Sequence, residues 1–425
     1  MASQNEAVQN GTVFVDESIA TKPSAISDVP AILDEIASQG KTLTEDDGPN
    51  RRRLIESARS LIHALETPRE AMCRYLWSHV DYPLLATTVY AAIETSINIG
   101  LFKALCEGGE PKTAKTLAIA TGAEVNFLSR ILKHLGAMGV ITETGPDTYQ
   151  ATTFAKVMTI QKYADGFPSL AECCNLSVLK LPDWVQKNGL RAPDNNLNCG
   201  TQLGYNTDLR FFDYLAANPG YTQRFMNNMS VYRKGRPSWM DPGFYPVEER
   251  LIAGRNPDAP LIVDVGGSTG HDLAEFIRKY PTVDAKFVLQ DRSEVIEKAR
   301  VSLDQKIEPL AHDFFTEQPV KGARAYYLHS IIHNWPEEKA REILVNLAKA
   351  LKPGYSKILI HDIVIPDVNA DWQDTAMDLI MMMVHAAQER TVPQWHQLVE
   401  SAGLKITGIF RADKGTEGLI ECELP

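Results

Sequence analysis

The sequence is short of several things, and each shortage removes a class of function. Its 425 residues include six cysteines, with no CxxC unit. Cys173 and Cys174 are adjacent, but neighbouring cysteines rarely bridge. A disulfide scaffold is therefore not expected, and reduced thiols in a cytoplasmic protein are. Positive charge is also in deficit: 43 Lys and Arg face 54 Asp and Glu, a formal net charge of −11. A general nucleic-acid binder needs a basic face to meet phosphates, so no nucleic-acid partner is expected. No apolar run approaches the roughly 18 residues that cross a bilayer, so no membrane partner is expected either. The opening "MASQNEAVQNGTVF" lacks the basic and apolar stretches of a secretory signal. Ligand spacings such as HExxH do not occur, so no metal site is expected.

What is present is ordinary globular composition, 44% hydrophobic and 23% charged, in a chain long enough for more than one domain. Residues 1–50 are polar, acidic and weakly periodic, and read as a flexible tail. "RRRLIESARSLIHALETPREAMCRYLW" reads as helix. "TVYAAIETSINIGLFKALCEGG" predicts one amphipathic helix stopped by Gly108–Gly109, followed by helices over "TAKTLAIATGA" and "EVNFLSRILKHLGAMGV". "ITETGPDTYQATTFA" predicts a hairpin. Three helices and a hairpin over residues 51–165 form a winged-helix pattern, open to DNA binding or to a helical dimer interface. Arg130 and Lys133 are the basic residues of its third helix, too few for a DNA-reading face.

Residues 166–250 are helical and rich in aromatics, from Trp184 and Phe211 to Phe244 and Tyr245. Both core packing and a pocket for a flat organic molecule fit that composition. Beyond Pro260 strands alternate with helices: "LIVDV", "KFVLQD", "AYYLHS", "KILIHDIVI" and "LKITGIF" against "HDLAEFIRKY", "SEVIEKARVSL", "EEKAREILVNLAKAL" and "TVPQWHQLVESAG". Such alternation predicts an α/β, doubly wound, Rossmann-like sheet with its ligand at the carboxyl ends of the strands.

The turn in "LIVDVGGSTGHDLAEF" is the place to ask which ligand. A dinucleotide loop needs G-x-G-x-x-G, but counting from Gly266 the third position is Ser268 and the sixth His271. No Lys-Ser/Thr pair follows, so it is not a phosphate-cradling loop. The acid Asp264 in the turn would repel a pyrophosphate and suits a cationic amine. Asp291, closing the next strand "FVLQD", can accept both hydroxyls of a ribose. A ribose with a cationic amino-acid arm and no phosphate is S-adenosylmethionine.

The ordered motifs "VDVGGSTG", "FVLQD", "AHDFF", "LHSIIHNWPEEKAREIL", "LIHDIVIPD" and "QERTVPQWHQLVESAGL" resemble the caffeic-acid type of S-adenosylmethionine-dependent O-methyltransferase, and more closely its fungal secondary-metabolite members. The resemblance runs from about Tyr90 to the C-terminus. It implies that Asp264, Gly266 and Gly270 line the methionine arm, that Asp291 takes the ribose, and that Asp313 and Phe314 flank the adenine. Plant members carry a cofactor-contacting lysine where this chain has His329. The resemblance also implies a methyltransferase domain over residues 166–425, a winged-helix homodimer interface before it, and a substrate wall to which that interface contributes. The absence of metal-ligand spacing separates the chain from magnesium-dependent catechol methyltransferases.

Methyl transfer from a sulfonium needs alignment of donor and acceptor and removal of the acceptor's proton. A phenol with a pKa near 10 is within reach of a neutral imidazole. His333, after "AYYLHSII", is the candidate base. Asp362, ending "KILIHD", and Glu389, in "AAQERT", are candidates to orient it. The family places its base and two acids at these positions, often with glutamate where Asp362 stands. His361, His385 and His396 read as structural. Met377, Met381, Met382 and Met383 suit either a substrate clamp or core packing. The reading is therefore an O-methyltransferase acting on a hydroxyl of an aromatic or polyketide-like small molecule. Two rivals stand beside it: a pericyclase on the same fold that binds the cofactor without methyl transfer, and a non-catalytic winged-helix regulator.

Overall fold

A computed structural model describes the chain over residues 22–67, 87–232, 236–412 and 415–425. The chain divides into two units between Phe167 and Pro168. In the first unit, helices Val29–Thr42 and Gly48–Leu65 pair with one another. A helix therefore stands in part of the segment that reads as a tail; residues 1–21, and the stretch 68–86 that includes the end of the "RRRLIESARS" reading, lie outside the described residues. Asp47 starts the second helix by accepting the Asn50 N–H at 3.0 Å.

The amphipathic run from Thr87 is not one helix. It breaks at Gly100, whose φ of 71° lies in the left-handed region, into Thr87–Asn98 and Leu101–Cys106. Helix Ala114–Thr121 follows, capped by the Thr113 hydroxyl and ended by Gly122. Helix Val125–Ala137 begins where the Glu124 carboxylate accepts the N–H groups of Asn126 and Phe127. Strands β1 (Lys112–Thr113), β2 (Ile141–Gly145) and β3 (Thr148–Ala151) form a small antiparallel wing in the order β1-β3-β2. Leu101, Leu105, Leu117, Leu128, Leu132 and Tyr149 meet in its core.

The second unit is built on seven strands: β4 (Ile262–Val265), β5 (Phe287–Asp291), β6 (Ile307–Ala311), β7 (Ala325–His329), β8 (Lys357–Asp362), β11 (Lys405–Phe410) and β12 (Gly418–Glu423); β9 (Val364–Ile365) and β10 (Arg390–Thr391) pair separately. The sheet order is β11-β12-β8-β7-β4-β5-β6, parallel from β8 to β6, with β12 antiparallel to both β8 and β11. All four residues of β4 are buried, as a central parallel strand covered on both faces requires. Helices Glu337–Ala348 and Val392–Ser401 cover one face through Ile343, Leu347, Trp395 and Leu398. Helices His271–Lys279 and Ser293–Ala299, with Trp239 and Tyr245, cover the other.

Two strands escape the sequence pattern. β6 contains Pro309 and sits at the sheet edge, where a missing N–H is tolerated. β12 carries the fully buried Glu421, whose charge interrupts an apolar reading. Its carboxylate is satisfied by the Tyr245 hydroxyl at 2.6 Å and by Arg250, Lys357 and Thr407, each at 2.7 Å.

The chain leaves β4 toward β5 and β6 on one side, then returns to β7 on the other. The switch point between β4 and β7 opens a crevice at the carboxyl ends of the strands. Helices Asn175–Leu179 and Gly200–Tyr205 pack onto helix Trp372–His385 near that rim. The approach is close: a Cβ on Gly200 would lie 2.6 Å from the carbonyl oxygens of Ser177 and Met383. Beside it the Thr201 hydroxyl donates to the Val384 carbonyl at 2.8 Å.

Candidate active site

Four sequence-selected positions arrive at one rim of the sheet because each ends, or directly follows, a parallel strand. Gly266 follows β4, Asp291 ends β5, His329 ends β7 and Asp362 ends β8. Asp313 and Phe314 follow β6 at the same end, Asp313 exposed and Phe314 half-buried against Trp335 at a ring separation of 5.8 Å.

The turn after β4 is built for backbone, not side chains. Gly266 has φ 77°, and a Cβ there would lie 2.6 Å from Ile331 Cδ1. A Cβ on Gly267 would collide with the Asp264 carboxylate. Asp264 therefore lies beneath the turn, 1% exposed, with no hydrogen-bond partner for either oxygen among the described residues. Burial, and then the nearby Asp272 carboxylate, pushes its pKa well above the usual carboxylate range. Asp291 supports the turn from the next strand: its Oδ2 accepts the Ser268 N–H at 2.9 Å and its Oδ1 the Arg292 N–H at 2.7 Å. Burial raises its pKa as well. Gly270, φ 80°, then opens helix His271–Lys279. A glycine-lined turn between buried Asp264 and half-buried Asp291, with no phosphate-binding side chain, fits a cofactor with a cationic amino-acid arm and a ribose.

Beside this turn, His329 is hydrogen-bonded at Nδ1 and has a second acid near Nε2. Nδ1 meets Asp272 Oδ2 at 2.6 Å and Nε2 lies 3.5 Å from Glu417 Oε1. Its ring stacks on His361 at 4.6 Å. Asp272 also accepts the Tyr327 hydroxyl at 3.1 Å, and Glu417 accepts the Ser330 hydroxyl at 2.9 Å. Sequence reading selects neither Asp272 nor Glu417. Asp272 sits two residues past a glycine whose signal dominates the stretch, and Glu417 leads into the unrecognised strand β12.

His333 lies in the single turn Ile332–Asn334 after β7 and is 9% exposed. Its Nδ1 meets Glu389 Oε1 at 2.7 Å. An ionised carboxylate only accepts, so the imidazole donates from Nδ1 and Nε2 carries the lone pair when the ring is neutral. No residue among those described bonds to Nε2. Burial pushes the His333 imidazole down, but the carboxylates of Glu389 and Asp362 outweigh it, and its pKa rises to about 9. Asp362 is fully buried, with neither oxygen hydrogen-bonded among the described residues, and burial raises it to about 7. Glu389, 2% exposed, is fixed through its backbone, whose N–H donates to Asp378 Oδ1 at 2.9 Å. A second link binds the same two segments. Arg390 is completely buried and reaches Glu337 Oε2 through Nε at 3.2 Å and Nη2 at 2.7 Å, with its guanidinium over Trp395. The sequence-selected trio therefore assembles: a hydrogen-bonded His–Glu pair with a buried aspartate close enough to act on its charge.

The remaining candidates divide. His361 is buried and bonds the Tyr327 hydroxyl at 2.8 Å, and His396 is half-buried beside Glu400. Met381 and Met383 are buried, whereas Met377 and Met382 are half-buried. Cys106, Cys173, Cys174, Cys199 and Cys422 are free thiols. No described helix is long and apolar enough to cross a membrane.

Comparison with known proteins settles the lineage of this arrangement. An O-methyltransferase domain matches residues 257–405 and an O-methyltransferase dimerisation domain matches residues 84–161. The O-methyltransferase mpaG of Penicillium brevicompactum is 35% identical over 398 residues, covering 93% of this chain and 98% of its own. The chain belongs to the O-methyltransferase family. Two solved structures agree with that membership. LepI in complex with SAM superposes with a TM-score of 0.82 at 26% identity, over 94% of this chain and 99% of LepI. OxaC in complex with sinefungin and meleagrin gives 0.81 at 26% identity, over 94% and 99%. This methyltransferase is an enzyme dependent on S-adenosylmethionine, with a Rossmann-like catalytic unit preceded by a helical dimerisation domain.

Proposed function

We propose that the methyltransferase moves a methyl group to a hydroxyl of an aromatic or polyketide-like small molecule, with His333 as general base. The observation that carries this reading is the 2.7 Å bond from His333 Nδ1 to buried Glu389, which leaves Nε2 to receive a proton. S-adenosylmethionine, when bound, supplies an electrophilic methyl with a neutral leaving group. The chain's own work is then alignment and proton removal. His333 takes the hydroxyl proton at Nε2. Glu389 holds the ring in one tautomer and stabilises the imidazolium, and Asp362 adds a second negative charge. Gly266, Gly270 and Asp264 shape the cofactor's amino-acid end, Asp291 receives its ribose, and Asp313, Phe314 and His329 border the rest of its site. The intact His–Glu–Asp set supports transfer over a pericyclic reaction, which needs no base at that position.

The same proposal includes a cytoplasmic homodimer made through residues 84–161 and no nucleic-acid partner. On helix Val125–Ala137 Lys133 is paired with Glu143 and lies 3.6 Å from Asp147, which weakens that helix as a phosphate-binding face. Incubating the enzyme with methyl-labelled S-adenosylmethionine and a panel of phenols tests the chemistry. Label should appear on a phenolic oxygen. Rearranged substrate without label overturns methyl transfer. Light scattering should find a dimer, and a stable, active monomer at micromolar concentration rules that part out.

A further inference from the structure

The Glu389 carboxylate meets His333 Nδ1 through Oε1 at 2.7 Å, while its Oε2 is buried with no hydrogen-bond partner among the described residues. No other described side chain bonds it. Its aim is therefore set by the backbone that carries it, and the two neighbours of Glu389 show how that backbone is held.

Both neighbours are anchored to a single oxygen. Arg390 donates to Glu337 Oε2 from Nε at 3.2 Å and from Nη2 at 2.7 Å, and Gln388 Nε2 donates to the same oxygen at 3.2 Å. Glu337 opens helix Glu337–Ala348, four residues after His333. Arg390 Nη1 also donates to the Gln388 carbonyl at 3.4 Å, closing the chain across Glu389. The guanidinium lies over the Trp395 ring at 5.2 Å, and the Trp395 indole N–H donates to the carbonyl of Ile363 at 3.3 Å, the residue after Asp362. Along the backbone, Arg390 pairs in parallel register with Val364.

One fully buried guanidinium thus joins the segments that carry His333, Glu389 and Asp362. A buried ion pair adds little net stability over apolar residues of the same volume, so stability alone does not account for it. All three of its nitrogens are engaged, which a planar fork can do and a single ammonium cannot.

We propose that Arg390 is the positioning residue of this site, holding the Glu389 carboxylate on His333 Nδ1 by fixing the three segments relative to one another. This rests on the reading of His333 as base, so the test reads the imidazole apart from transfer.

The experiment follows His333 across pH by NMR of isotope-labelled histidine, in the full-length enzyme saturated with S-adenosylhomocysteine, its signal assigned by loss in His333→Gln. Burial lowers this imidazole, and Glu389 is the largest of the charges that lift it to about 9; Asp362, Glu417 and His385, which also couple to it, are unaltered in every variant tested. Arg390→Lys keeps the positive charge and gives up the fork. It should lower the His333 midpoint by about one pH unit, the low end for loss of an opposite charge in contact. On the phenol that the parent methylates best, kcat should fall about tenfold, short of the roughly 10² for loss of an acid–base group, with KM within about twofold. Placed on Glu389→Gln, the same change should move the midpoint no further, because no carboxylate is left to aim. The Glu337 side chain is 47% exposed, so its variants guard against a poorly folded Arg390 variant. Glu337→Ala should lower the midpoint more than Glu337→Gln, which keeps an acceptor oxygen for the fork. An unmoved midpoint in Arg390→Lys, a further shift in the double variant, or equal shifts from the two Glu337 variants overturns the proposal. A lowered midpoint with unchanged turnover would count against His333 as base and leave the positioning role standing.

Discussion

Two histidines stand at the carboxyl rim of the same sheet, each attended by two acids, and they are not equivalent. His329 ends β7 with Nδ1 on Asp272 and Nε2 facing Glu417. His333, four residues on, has Nδ1 on Glu389 and leaves Nε2 unbonded, while its second acid, Asp362, acts through charge alone. Counting acids near a histidine would rank the two alike. What separates them is the disposition of the second nitrogen. A base needs a lone pair aimed at a substrate: Nε2 of His333 has no bonded partner among the described residues, whereas Nε2 of His329 faces a carboxylate 3.5 Å away. The His329 cluster, stacked on His361 and tied to Tyr327 and Ser330, is suited to hold the rim in place.

The sharpest way to break this comparison is to remove His333. His333→Ala should lower turnover by roughly 10²–10⁴-fold, the usual share of general acid–base catalysis, with the affinity for S-adenosylhomocysteine nearly unchanged. Turnover within a few-fold of the parent, measured beside calorimetric cofactor binding, would take His333 out of the mechanism.

Glu389→Gln should cost roughly 10²-fold in kcat/KM, short of losing His333 itself because Asp362 remains. Its clearer mark is in the pH profile. Glu389 is the larger of the charges that lift His333 to about 9, so the free enzyme at pH 7 holds a protonated imidazole. A base must first lose that proton, so kcat/KM should climb with pH and level off near 9. Removing the carboxylate lowers the imidazole pKa, and the rising limb should move toward acid. A limb that stays in place, or moves toward alkali, would show that Glu389 does not set the charge of His333.

The proposed cofactor half of the site is the more legible from sequence, for a geometric reason. The Asp264–Gly270 turn is contiguous, and Asp291 is the last residue of the next strand, so one short pattern contains the whole motif. His333, Asp362 and Glu389 are distant in sequence, yet each follows an apolar strand or precedes a capped helix, and a family pattern ties them together. Other groups leave no such trace. Asp378 is one carboxylate on a helix, and only the fold brings it to the Glu389 N–H. Glu417 precedes a strand whose buried acid, Glu421, disguises it. Gly100 lies within an unbroken apolar periodicity, and its left-handed backbone is what divides the expected helix. Asp264 is legible as an acid in the turn, but not as an acid sealed beneath Gly267.

Asp291→Ala sharpens the contrast from the cofactor side. A charge-assisted hydrogen bond contributes roughly 1.5–3 kcal/mol. Asp291 also braces the turn through the Ser268 N–H. The dissociation constant for S-adenosylhomocysteine should therefore rise at least about tenfold, and an unchanged constant would remove Asp291 from the ribose site.

The smallest effect is expected at His329, and it bears most directly on the difference between the two histidines. His329→Gln keeps a hydrogen-bonding group between Asp272 and Glu417 but gives up the stacked ring over His361. If His329 acts only by holding the rim, kcat should stay within about tenfold of the parent, below the roughly 10² that marks loss of an acid–base group. The change should fall mainly on cofactor affinity, because the turn at Gly266 adjoins this cluster through Asp264, whose charge feels both Asp272 and His329. The pH profile should keep its limb near 9, since neither Glu389 nor Asp362 has changed. Steady-state kinetics across pH, run beside calorimetry with S-adenosylhomocysteine, separates these effects. A loss in kcat as large as that of His333→Ala, with the rising limb near 9 abolished, would mean that the proton passes through His329, and that a ring with an acid beside each nitrogen can still turn one of them to the substrate.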